Sequence, residues 1–258
     1  MGLNSVWIIE KGNSKWKIGA FKDDVLISVT TTEVGAALVE TDLPNSDSQK
    51  VDILLTGSGE WSNDTTELLK TKGNVTELKR GDTHPLITNV FDPGSLGTDR
   101  IANVFAIQEG AVDEAKNCDA WLIVDAGTCV TFDLFVNGIH LGGAISPGIS
   151  MRLHSMKEGT DALMKVEKEV WVKMAPFKGE TTGLSSQDAL IKGAADGISA
   201  EILGRWMALR DEYKGIGVIL TGGDSSFLEL GRVEPKFADS NLTLKGYYAL
   251  FPHISESK

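Results

Sequence analysis

The sequence predicts a two-lobed α/β protein whose halves are built alike. Two observations carry the prediction. Strand-sized apolar runs alternate with helix-period segments along the chain, and one local pattern occurs twice. That pattern is strand, acidic residue, glycine, small hydroxyl residue, strand, hairpin, strand. It spans Val6–Thr30 and returns at Trp121–Leu141. A boundary is therefore expected near residues 112–118, dividing the chain into lobes 1–115 and 116–258.

Each element has its own signal. Val6–Glu10 reads as a buried strand, followed by a Gly-Asn-Ser turn at Gly12–Ser14. Trp16–Phe21 and Val25–Thr30 follow as strands around a hairpin turn at Lys22-Asp23-Asp24. Val51–Thr56 is another apolar strand, ending in Gly57-Ser58-Gly59, and Thr65–Lys72 reads as a helix. Asp99–Gly110 places Ile101, Val104 and Phe105 on one helical side. Then come strands at Trp121–Val124, Val130–Val136 and Ile139–Gly142, the last two joined by an Asn137-Gly138 turn. Ile149–Glu158 reads as a helix. Leu184–Arg210 is a long helical stretch with expected breaks near Gly193 and Gly197. Val218–Thr221 is a strand ending in Gly222-Gly223, and Asn241–Phe251 closes the chain.

Composition excludes several classes. With 258 residues, 41% hydrophobic and 24% charged, the chain can bury a sizeable core. A net charge of −11 argues against nucleic acid as a partner, because such binders carry a basic face. It does not argue against a nucleotide, which a few local groups and a cation hold. Cys118 and Cys129 are too few and too far apart for a metal knuckle and read as reduced thiols, which fits a cytoplasmic location. His84, His140, His154 and His253 show no metal spacing. Met1–Glu10 has no positive region followed by a long apolar run, so neither a signal peptide nor a membrane span is expected.

Three glycine-containing turns follow apolar strands: Glu10-Lys11-Gly12-Asn13-Ser14, Asp125-Ala126-Gly127-Thr128 and Leu220-Thr221-Gly222-Gly223-Asp224. Glycine lets backbone N–H groups approach phosphate oxygens, and a Ser or Thr hydroxyl adds a donor. A carboxylate at the strand end can orient a cation or its water shell. One such turn is ordinary punctuation; three at strand ends, two of them in repeated halves, suit a phosphate clamp. The Gly-x-x-x-x-Gly-Lys-Ser/Thr run of Walker-type sites is absent, as are His-Glu-x-x-His and Gly-x-Ser-x-Gly. Lys11 stays open between a phosphate contact and an ion pair with Glu10. A second constellation is Pro93-Gly94-Ser95-Leu96-Gly97-Thr98-Asp99-Arg100-Ile101-Ala102-Asn103. Asp99 there reads either as a helix N-cap beside a surface Arg100, or as a carboxylate that accepts a hydroxyl proton while Arg100 grips an acidic substrate. A third is Gly142–Gly148, a constrained connection into the following helix.

Together these segments resemble the type III pantothenate kinases, which include the Bvg accessory factor group. The likeness covers nearly the whole chain. It is most specific at Leu96–Asn103, at Asp125-Ala126-Gly127-Thr128-Cys129-Val130-Thr131-Phe132-Asp133 and at Gly142–Gly148. The resemblance implies two ribonuclease H-like lobes of the actin, Hsp70 and sugar kinase type, with a nucleotide cleft between them. It implies a cytoplasmic, homodimeric transferase that phosphorylates pantothenate with ATP, Mg²⁺ and a potassium or ammonium ion, as the first step of coenzyme A biosynthesis. Asp99 matches the general base. Gly97, Thr98 and Arg100 match the pantothenate segment, Phe91 stands near the place of a substrate-loop Tyr, and Thr182 aligns with a Thr that reaches pantothenate across the dimer interface. Glu10, Lys11, Gly12, Asn13 and Ser14 match the first phosphate turn, with Glu10 in the place of an Asp and a possible Mg²⁺ ligand. Gly127 and Thr128 match the second phosphate turn, Thr221, Gly222 and Gly223 the adenosine-side turn, and Asp125 the monovalent-cation residue. Two other readings of the same resemblance are a non-catalytic, nucleotide-binding regulator and a kinase of another small hydroxy acid.

Overall fold

The structure, a computed structural model, describes residues 5–13, 15–33, 37–45, 50–113, 118–174 and 182–255. Its chain divides into two compact units, Met1–Val112 with Leu242–Lys258, and Asp113–Asn241.

In the first unit a mixed sheet runs in the order β3-β2-β1-β4-β5. Strands β1 (Val6–Lys11), β2 (Lys15–Lys22) and β3 (Val25–Glu33) form an antiparallel meander. The β2–β3 turn is tight, with Asp23 and Asp24 at φ 49° and 66°, the left-handed pair that matches strand twist. Strand β4 (Val51–Gly57) lies parallel to β1, and β5 (Gly73–Glu77) parallel to β4. Between them runs α1 (Asn63–Lys72), capped by the Ser62 hydroxyl, which accepts from the Thr65 amide.

Strand alternation sorts the side chains of this sheet. Trp7, Ile9, Trp16, Ile18, Ile53 and Leu55 point to the α1 face and bury Leu69. Val6, Ile8 and Leu54 point to the other face, which α2 (Thr98–Gln108) and α6 (Leu242–Ser255) cover. Residue α6 Tyr248 stacks on Phe21 at 4.2 Å and its hydroxyl donates to Asp24 at 2.7 Å, fixing the helix to the β2–β3 hairpin. Helices α2 and α6 touch backbone to backbone at Gly246, where a Cβ would stand 1.9 Å from the Ala102 carbonyl oxygen. Gly246→Ala is therefore expected to force the helices apart and destabilise the unit by about 1–3 kcal/mol, a fall of several degrees in Tm. An unchanged thermal melt would contradict this packing.

The second unit repeats the plan. Strands β6 (Ala120–Ala126), β7 (Cys129–Val136) and β8 (Ile139–Pro147) form the meander, and β9 (Gly217–Thr221) and β10 (Lys236–Ala238) add in parallel beyond β6. The order β10-β9-β6-β7-β8 is that of the first sheet read from its other edge. One face packs Leu122, Val124, Phe132 and Val218 against α3 (Ile149–Glu158), α4 (Lys168–Met174) and α5 (Ser186–Leu209).

Some expectations shift. The C-terminal helix belongs with the first unit, whereas the sequence division placed residues 116–258 together. Helix α5 runs unbroken through Gly193 and Gly197. Ala194, Ala195, Ile198 and Ile202 bury one stripe, which outweighs a glycine cost of about 1 kcal/mol each. The Gly142–Gly148 connection is mostly strand, with Pro147 still paired to Cys129. Arg152 fastens this stretch, donating to the Pro147 carbonyl at 2.8 Å and to Glu201 at 2.7 Å. Burial opposes ionisation of Glu201, but hydrogen bonds from Arg205, Ser146 and Arg152 prevail and hold its carboxyl below the ordinary value.

Candidate functional site

In the first unit the candidate residues gather at the carboxyl ends of β1 and β4. Glu10 and Thr56 are opposite one another in register and share the face covered by α2 and α6. Thr98 opens α2, with Gly97 as its N-cap, so Asp99 lies in the first turn and is not the cap. Its Oδ1 accepts from the Arg100 amide at 2.9 Å. Asp99 and Arg100 are half-buried and Thr98 is buried. Asp99 stands where the helix dipole favours a negative charge.

Beneath these carboxylates lies a buried group of three hydroxyls. Thr56 Oγ1 donates to Thr98 Oγ1 at 3.2 Å, and Thr98 Oγ1 meets the Tyr247 hydroxyl at 3.2 Å. Burial first, then the charges of Glu10 and Asp99, push the Tyr247 phenol well above its ordinary pKa.

The turn after β1 is laced to the end of β4. The Ser58 amide donates to the Lys11 carbonyl at 2.8 Å, and the Ser58 hydroxyl to Asn13 Oδ1 at 3.3 Å. The Gly12 amide donates to the Lys15 carbonyl at 2.9 Å. Lys11 resolves by strand alternation, since consecutive side chains leave a strand on opposite faces. Its ammonium donates to the Glu60 carbonyl at 2.7 Å and lies 5.6 Å from the Trp16 ring and 6.0 Å from Trp61. It sits on the α1 face, away from Glu10. Phe91 is fully exposed, and Ser14 lies outside the described residues.

In the second unit the candidates gather at the carboxyl ends of β6 and β9. Asp125 is half-buried, in register with Thr221 on β9 and Thr131 on β7. The Gly127 amide donates to the Cys129 carbonyl at 2.9 Å, closing the β6–β7 turn with Thr128 exposed at its tip. Gly222 has φ +89°, and a Cβ there would stand 2.3 Å from the Ala126 carbonyl oxygen and 2.5 Å from Asp125 Oδ1. Only glycine fits this crossing of two turns. The Asp224 amide ties the same carbonyl at 2.9 Å. Burial raises the Asp224 carboxyl above its ordinary value, with Lys168 opposing. Gly223 is exposed, and so is Thr182, just ahead of α5.

Sequence reasoning missed Thr56, Ser58 and Tyr247, and gave Asp224, the last residue of the third glycine turn, no role of its own. Ser58 had a signal, since Gly57-Ser58-Gly59 is another glycine turn after an apolar strand. Tyr247 had none.

Among the described residues no group of three or more His, Cys, Asp or Glu side chains could hold a metal alone. A Mg²⁺ carried on a nucleotide needs no such group, since it takes one or two protein carboxylates and keeps phosphate oxygens and waters as its other ligands.

Two five-stranded mixed sheets of one strand order, each with its candidate residues at the ends of the central strands, define an α/β fold built from two similar halves. A Campylobacter jejuni structure described as a Baf family transcriptional activator has this fold, with a TM-score of 0.59 over 97% of this chain and 99% of its own at 21% identity. The type III pantothenate kinase family profile matches residues 6–207. A type III pantothenate kinase of Flavobacterium psychrophilum is 31% identical over 250 residues, 95% of this chain and 98% of the relative. One from Cytophaga hutchinsonii is 35% identical over 180 residues, 69% of this chain and 71% of the relative. The chain belongs to the type III pantothenate kinase family.

Proposed function

We propose that this protein transfers the γ-phosphoryl group of ATP to the primary hydroxyl of pantothenate, forming 4′-phosphopantothenate, the first step of coenzyme A biosynthesis. The observation that carries the reading is the near end-to-end match to a relative of that name. Asp99 at the head of α2 supports it chemically.

In this reading Asp99 accepts the hydroxyl proton as the pantothenate oxygen bonds to the γ-phosphorus and the bond to the ADP oxygen breaks. Gly97, Thr98 and Arg100 bind pantothenate, Arg100 through its carboxylate, with Phe91 from the substrate loop and Thr182 from a second copy in a homodimer. Asn13 and Ser14 from one turn and Thr128 from another donate to the phosphates, Gly12 and Gly127 leave room for their close approach, and Thr221, Gly222 and Gly223 flank the adenosine. Glu10 would hold a divalent ion, which would neutralise charge on the phosphates, and Asp125 would hold a potassium or ammonium ion. The location is cytoplasmic.

The test is an ADP-release assay with Mg-ATP and pantothenate, run with potassium and with sodium. We expect acceptor-dependent ADP release in potassium and loss of most of it in sodium. Equal rates in the two salts would remove the cation from Asp125. Nucleotide binding without turnover would make the protein a regulator, and turnover only with another hydroxy acid would change the acceptor.

A further inference from the structure

Residue Tyr247 lies on α6, beyond the end of the family match at residue 207. It is wholly buried, and its hydroxyl ends beside Thr98, the residue that opens α2. Thr98 in turn accepts from Thr56, near the end of β4. The three hydroxyls thus join α6, α2 and β4 directly under the segment that carries Asp99, with Glu10 on the same sheet face. A bare helix start would leave Thr98 free to fray, since Gly97 offers no side-chain cap.

We propose that Tyr247 is a positioning residue for phosphoryl transfer: its hydroxyl, acting through Thr98, holds the first turn of α2 so that Asp99 meets the attacking alcohol in register. Three features make it suited to this. The ring is locked from both sides: its neighbour Gly246 is pressed against the Ala102 backbone, and its other neighbour Tyr248 is stacked on Phe21 and bonded to Asp24. The phenol keeps its proton at any working pH, because burial and then the charges of Glu10 and Asp99 disfavour the phenolate. A neutral hydroxyl can bond Thr98 without adding a charge beside two carboxylates. Small displacements of a base are costly, since a misplacement of about 1 Å can cost about 10²-fold in rate.

The inference rests on Asp99 serving as the base, so its test has two arms. Tyr247→Phe keeps the ring and removes only the hydroxyl. We expect kcat to fall about tenfold, the loss of roughly one hydrogen bond's worth of alignment, with both KM values within about twofold and the thermal midpoint little changed. Thr98→Val should lower kcat at least as much, since Thr98 also lies in the pantothenate segment, and the Tyr247→Phe/Thr98→Val double variant should lose no more than Thr98→Val alone. A parent kcat in Tyr247→Phe, or additive losses in the double variant, would overturn the proposal. The second arm needs no turnover. Amide hydrogen exchange at Asp99, Arg100 and Ile101 should quicken in Tyr247→Phe if the hydroxyl holds the helix start. Unchanged exchange there would overturn the proposal, whether or not the protein phosphorylates pantothenate. Quickened exchange in a protein that never transfers phosphate would keep the anchor and refute the kinase reading instead.

Discussion

Replacing Asp99 with Asn is expected to lower kcat by about 10²–10⁴-fold, the usual contribution of a positioned general base. The change is nearly isosteric. The amide oxygen of Asn can still accept from the Arg100 amide, the bond that Asp99 Oδ1 makes at 2.9 Å. What disappears is the ability to take a proton at neutral pH. The helix also loses a favourable charge in its first turn, worth about 0.3–1 kcal/mol, too little to unfold the unit. Circular dichroism and the thermal midpoint should therefore stay near those of the parent while turnover collapses. Parent-like turnover in the purified variant would show that the base lies elsewhere.

The second large effect is expected at Gly222. An alanine there must adopt φ near +89°, which costs about 1–2 kcal/mol for an L-residue. Its Cβ would also stand 2.3 Å from the Ala126 carbonyl oxygen and 2.5 Å from Asp125 Oδ1. Neither neighbour is the loose end of a flexible side chain. The end of β6 or the β9 turn must shift, and with it Asp125. Gly222→Ala is therefore expected to lose about 10²-fold in kcat/KM for ATP and several degrees in Tm. Gly204→Ala is the matched control, because it lies in α5 with nothing within 4 Å of the added atom. It should raise stability by up to about 1 kcal/mol. If Gly222→Ala behaved like Gly204→Ala, the crossing of the two turns would not shape the site.

Legibility in the sequence followed how local each cause was. The paired meanders were readable because Val6-Trp7-Ile8-Ile9 and Trp121-Leu122-Ile123-Val124 are uninterrupted apolar runs followed by glycine turns. Asn137-Gly138 likewise specifies its own hairpin, with φ values of 48° and 83°. Strands β5 and β10 were not readable. Gly73–Glu77 is mostly polar and Lys236–Ala238 is only three residues long, and they become strands by pairing with β4 and β9. Helix α4 is seven residues long and is held through buried Trp171, a tertiary cause. The ion pair of Lys11 with Glu10 could have been excluded from period two, since a residue adjacent to Glu10 on a strand must face the other way.

At the site, the glycine turns and the Asp99 segment were legible because their chemistry is contiguous in sequence. The hydroxyl group beneath them was not, because Thr56, Thr98 and Tyr247 meet only when α6 folds back onto the first sheet. The position of that helix explains both the missed residue and the assignment of the C-terminal helix to the wrong half. A helix following β10 in sequence packs with β1, and no local pattern records it.

The most direct measurement is a single-turnover experiment with γ-³²P-labelled ATP, Mg²⁺, potassium and pantothenate. The label should appear in 4′-phosphopantothenate, in amounts that match the ATP consumed, and should appear there about 10²–10⁴-fold more slowly with Asp99→Asn. Label that remains in ATP, or passes only to water, would contradict the assignment of this fold and this aspartate to pantothenate phosphorylation.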